Sequence, residues 1–88
     1  MISLSPYARK LTQRAEGIWQ NMGLSLEKQD AFEHDGGYCS LMFYFHNISP
    51  AQAELLVSQM GKAFRRANVY WKEDEETGIV VRVEIPPM

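Results

Sequence analysis

Eighty-eight residues, 45% of them hydrophobic and 23% charged, fit one small globular domain and exclude a chain that stays disordered throughout. Nine Lys and Arg against eleven Asp and Glu leave a net charge of -2, so no overall field draws the chain to nucleic acid. A single cysteine, Cys39, excludes an internal disulfide, and no apolar run approaches the roughly 20 residues a bilayer-crossing helix needs.

The opening residues "MISLSPYARK" lack the basic segment and apolar run of a signal peptide, so the expected compartment is a reducing cytoplasm with no membrane attachment. From Ser5 to Met22, the apolar residues Tyr7, Ala8, Leu11, Ala15, Ile18, Trp19 and Met22 recur in steps that draw one stripe down a helix. Ser5 is placed to cap this helix, Pro6 suits its first turn, and Gly23 offers a stop.

"LSLEKQDAFEH" reads as a mostly polar first strand, and Asp35, Gly36 and Gly37 form a hairpin turn because glycine tolerates positive φ. In "YCSLMFYFH" the period is two. Cys39, Leu41, Phe43 and Phe45 point to a core, while Tyr38, Ser40, Met42, Tyr44 and His46 point the other way. A second helix is predicted over Ser49 to Asn68, with Ser49 and Gln52 spaced as a capping box and a stripe through Ala53, Leu56, Val57, Met60, Phe64 and Ala67.

A second hairpin closes the chain, its last strand showing Ile79, Val81, Val83 and Ile85 to the core. A loop of Glu76, Thr77 and a left-handed Gly78 would set Val83 opposite Trp71 and Ile85 opposite Val69.

The predicted fold class is α+β, a single domain over 1–88 made of two αββ halves (5–47 and 49–85) and a short Pro-Pro-Met tail (86–88). The apolar second and fourth strands belong at the centre of a four-stranded antiparallel sheet, and the charged first and third at its edges, giving the order 3-4-2-1. With both helices on one face, αββαββ is a circular permutation of the ferredoxin-like sandwich.

The halves also share matches at an offset of 44 residues, among them Ser5 with Ser49, Leu11 with Leu55, Gly17 with Gly61 and Lys28 with Lys72. Helix capping accounts for the Ser-Pro pair, and the glycines are expected where the helices approach each other or the sheet closely. Each helix has three cations against one anion, and each hairpin a net -3.

The residues that carry chemistry do not form a catalytic set. Cys39 and His46 lie seven apart on one strand and therefore face opposite ways, so Cys39 reads as a buried structural thiol. His34 and His46 lack clustered partners, and Glu73 to Glu76 lack the spacing and glycine of a calcium loop, so no metal or other cofactor is expected. The basic run "GKAFRRAN" sits where a helix dipole favours cations.

What remains is a surface. The uncovered sheet face would carry Met42, Tyr44, Val80 and Arg82 at its centre, with Tyr38, His46, Tyr70 and Lys72 around them, a composition enriched at protein interfaces. The expected function is non-enzymatic: an adaptor or inhibitor that binds an unidentified protein through this face, through the acidic tip Glu73, Asp74, Glu75 and Glu76, or as a homodimer. An inhibitor of this kind would occupy a basic surface of a nucleic-acid-handling machine. Single-stranded nucleic acid stacked on Tyr38, Tyr44 and Tyr70 is the alternative that the acidic hairpins disfavour, and a small dimeric enzyme using His46 or the carboxylates has still less to carry it.

Overall fold

The computed structural model describes residues 6–76 and 78–86. Helix α1 (Pro6–Asn21) leads to strands β1 (Leu26–Glu33) and β2 (Cys39–Phe45), and helix α2 (Pro50–Ala63) leads to β3 (Asn68–Asp74) and β4 (Gly78–Ile85). The strands form one antiparallel α+β sheet in the order β1-β2-β4-β3, which is the order the strand composition predicts.

The expected cap Ser5 lies outside the described residues. At the other end of α1, Gly23 takes φ +73, its N–H donates to the Gln20 carbonyl at 2.9 Å, and the Leu24 N–H donates to that of Trp19 at 3.1 Å. These two bonds close the helix on a left-handed glycine. The capping box of α2 forms as spaced: the Gln52 N–H donates to Ser49 Oγ (3.1 Å) and the Ser49 N–H to Gln52 Oε1 (2.8 Å).

Helix α2 stops at Ala63, short of the expected Asn68, because Phe64 leaves helical geometry at φ -114, ψ 73. Its N–H still donates to the Met60 carbonyl at 2.8 Å, and a turn follows in which the Ala67 N–H donates to the Phe64 carbonyl at 3.0 Å. Phe64 and Ala67 both return to the core through that turn, so their spacing imitates another helical stripe.

The core gathers Leu41, Phe43 and Phe45 of β2 and Val81, Val83 and Ile85 of β4 with Ala8, Leu11, Ala15 and Trp19 of α1 and Ala53, Leu56 and Met60 of α2. Trp19 meets Phe45 edge to face, ring centroids 6.1 Å apart at 74°. Trp71 ties β3 to α2, its indole N–H donating to Glu54 Oε1 at 2.7 Å. The central strands are largely buried and the edge strands half-buried to exposed, with a register irregularity between Leu26 and Lys28 in the β1–β2 pairing.

The second hairpin departs from the sequence reading as well. Trp71 pairs with Val81 and Val69 with Val83, a register two residues away from the expected one, and Gly78 (φ +108) already pairs with Asp74. Thr77 of the expected loop lies outside the described residues. A two-residue slip keeps every side chain on its own face, so an alternating pattern cannot exclude it.

Gly17 and Gly61 mark no close approach either, for a Cβ at each would meet nothing within 4 Å. The offset matches are equally uneven: Leu11 is buried and Leu55 exposed, while Lys28 and Lys72 do occupy corresponding places on the two edge strands.

Candidate functional site

Pairing across the four strands lays the second face of the sheet out in three rows. They are Lys28–Tyr44–Val80–Lys72, Asp30–Met42–Arg82–Tyr70 and Phe32–Ser40–Glu84–Asn68. Each follows from the period of two: the odd-numbered residues of β2 and β4 carry the core, so their even-numbered neighbours must share this face.

Glu84 organises one end. Its Oε1 accepts the Tyr70 hydroxyl at 3.2 Å and lies 3.5 Å from the Arg82 guanidinium, and its charge also acts on Tyr38. Burial pushes the Tyr38 phenol above its ordinary 10.0, the Glu84 carboxylate and then Tyr70 push the same way, and Arg82 opposes them. The Arg82 guanidinium also lies 5.8 Å from the Tyr70 ring centroid.

At the other end the Lys28 ammonium sits 4.6 Å from the Tyr44 ring centroid, and the Tyr44 hydroxyl donates to the Met42 sulfur at 3.7 Å. His34 Nε2 lies 3.2 Å from Ser40 Oγ, with its ring 5.4 Å from that of Tyr38. The Arg82 Nε atom is buried and has no hydrogen-bond partner among the described residues. The aromatic rings are thus held by neighbours of the same face and remain partly exposed.

Tyr38, Met42, Tyr44, Tyr70 and Arg82 therefore come together as the sequence pattern places them. Two other expected members do not join. Val80 is only 3% exposed, set between Tyr44 and Lys72, so it belongs beneath the surface and not on it. His46 lies past the end of β2 and lines a hollow with Gly23, Leu24, Asn47 and Gln52, because the strand ends at Phe45 before another alternation can form.

Sequence reading missed Phe32, Glu84, Lys28 and Asp30. Phe32 is 49% exposed on an edge strand, where a half-polar run shows no clear alternation and the irregularity after Leu26 shifts its phase. Glu84 looks like one more hairpin charge until the register sets it beside two tyrosines.

The acidic residues divide. Glu73, Asp74, Glu75 and Glu76 surround the β3–β4 turn, whereas Glu33 and Asp35 belong to the β1–β2 turn next to Cys39, which pairs with Ile85 at the far end of β4. The eight residues of β4 separate the two ends by about 25 Å. Glu73, Asp74 and Glu75 line an open cavity of about 500 Å³ with Ile48, Pro50, Gly78 and Ile79.

Cys39 is buried, and that burial, followed by the nearby Glu33 charge, pushes its thiol above the ordinary 9.0. A thiolate is what a nucleophilic cysteine requires, and His46 lies beyond the opposite end of the same strand, about 23 Å away. Among the described residues no group of three or more His, Cys, Asp or Glu is arranged to hold a metal ion, and no helix is long and apolar enough to cross a membrane. Compared with known protein families, curated proteins and solved structures, the chain gives no significant match.

Proposed function

We propose that this chain is a non-enzymatic protein-interaction module, of adaptor or inhibitor type, which meets its partner through the second face of the sheet. The reading assigns both helices to the core face, as in a permuted ferredoxin-like sandwich. The buried cluster that joins residues of α1 and α2 to Leu41, Phe43, Val81 and Val83 supports that arrangement. It leaves the other face free for a partner.

The observation that carries the proposal is the Glu84 cluster: Tyr70 and Arg82 meet one carboxylate whose charge also acts on Tyr38, beside Tyr44, Met42 and an exposed Phe32. Tyr, Met, Phe and Arg are the residues that interfaces enrich, and rings held in place lose little freedom on binding. The acidic turns at the two ends of the face fit a partner with basic groups some 25 Å apart, such as the nucleic-acid track of a larger machine.

Affinity capture from the native host tests this, run in parallel with Tyr44→Ala/Arg82→Ala and with a variant in which Glu73, Asp74, Glu75 and Glu76 become amides. A basic protein retained by wild type and lost by the face variant supports the proposal. Capture of the same proteins by all three, or salt-sensitive binding of labelled single-stranded RNA that needs Tyr38, Tyr44 and Tyr70, overturns it.

A further inference from the structure

Arg65 and Arg66 read in the sequence as cations favoured by a helix dipole. The fold gives them a different setting, because α2 has already ended at Ala63 and Arg14 of α1 joins them around one cleft. The dipole offers no reason for Arg14, which lies in the middle of its own helix. Tyr7, Phe64 and Ile85 supply apolar lining, and the Arg14 guanidinium lies 5.8 Å from the Phe64 ring centroid.

Three features define what this cleft accepts. Its volume of about 160 Å³ falls below the ~300–1,000 Å³ of small-ligand pockets and suits one large apolar side chain. Among the described residues none of the three guanidinium groups has an ion-pair partner, and all three border the cleft. Tyr7, 38% exposed, leaves an aromatic ring open at the mouth.

We infer that this cleft binds a short acidic peptide segment of a partner protein, seating one apolar side chain on Tyr7, Phe64 and Ile85 while flanking carboxylates meet Arg14, Arg65 and Arg66. Guanidinium groups pair with carboxylates through fork-shaped hydrogen bonds, and the apolar lining adds selection for a side chain that a phosphate backbone does not offer. Nucleic acid is the weaker occupant, since it needs a basic track longer than this rim and the neighbouring β1–β2 turn is acidic. A second copy's acidic tip fits the rim but offers no apolar residue between Glu73 and Glu76. The site lies apart from the second sheet face, and so the inference stands independently of the proposed function.

The test is fluorescence anisotropy with the labelled peptide Glu-Glu-Phe-Glu-Glu as probe, at low salt and at about 0.15 M salt, where the Debye length falls to about 8 Å. The expected result is saturable binding that weakens with salt, about tenfold or more on Arg65→Glu/Arg66→Glu, and severalfold on Tyr7→Ala or on replacing the peptide phenylalanine by serine. All these positions are exposed, and circular dichroism confirms that each variant is folded. Absence of binding, binding indifferent to the arginines or to the phenylalanine, tighter binding of a single-stranded oligonucleotide, or a self-association that Arg65→Glu/Arg66→Glu abolishes would each overturn the inference.

Discussion

Removing the Glu84 carboxylate is the sharpest perturbation of the candidate interface, because a single side chain there holds Tyr70 and Arg82 and acts on Tyr38. In Glu84→Ala the Tyr70 hydroxyl loses its acceptor at 3.2 Å and Arg82 its counter-ion at 3.5 Å. A hydrogen bond to a charged group contributes about 1.5–3 kcal/mol, and the lower end applies because Glu84 is 23% exposed at its side chain. The ion pair, between partners that both see solvent, adds about 0.5 kcal/mol. The expected loss is therefore about 2 kcal/mol, or roughly 8–16 °C in Tm for a domain of this size. Glu84→Gln, which keeps an acceptor for Tyr70 and removes only the charge, should lose about half as much. Thermal unfolding followed by circular dichroism reads both, and an ultraviolet titration of the tyrosines supplies a second measure. Without the Glu84 charge the Tyr38 phenol titrates at lower pH than in wild type. A Tm change below about 2 °C in Glu84→Ala, together with an unchanged tyrosine titration, would refute the organising role given to Glu84.

Three further outcomes follow from the packing. Leu56→Ala, at a fully buried position, should destabilise by about 2–5 kcal/mol in urea unfolding, whereas Leu55→Ala next to it, 53% exposed, should change stability by about 0.5 kcal/mol or less; similar losses would contradict the buried face of α2. Gly17→Ala and Gly61→Ala should each stabilise by about 0.5–1 kcal/mol, since a methyl group meets nothing at either site, while Gly78→Ala, at φ +108 with the Phe45 carbonyl 3.3 Å from the new Cβ, should destabilise by about 1–3 kcal/mol. A loss of Tm in either helix variant would show that the glycine has a role its surroundings do not reveal. Cys39 holds its proton more tightly folded than unfolded, so its contribution is fully present below the ordinary 9.0 and is lost as pH rises through the higher folded value. Stability measured from pH 7 upward should accordingly fall on the alkaline side more steeply in wild type than in Cys39→Ala, and parallel curves would contradict a buried, protonated thiol.

The alternation in β2 and β4 was enough to name the core face, because burying alternate residues of a strand leaves their neighbours no other side. The charge of the first and third strands was enough to place them at the edges, and the Ser49–Gln52 spacing was enough to predict a capping box that forms with both bonds. These are local properties, written within a few residues of one another.

The β3–β4 register, the end of α2 and the make-up of the second sheet face were decided by tertiary structure. A slip of two residues preserves the facing pattern, a turn can return Phe64 and Ala67 to the core as a helix would, and a valine on the second face can still be buried by its cross-strand neighbours. Charges behaved in the same way. Glu84 appeared as part of an acidic hairpin and became the centre of a tyrosine cluster, while Arg14 and Arg65, far apart in the chain, came to border one cleft. Periodicity fixes which way a side chain points, but what stands beside it depends on which distant segments pack there, and only the assembled sheet and its helices settle that.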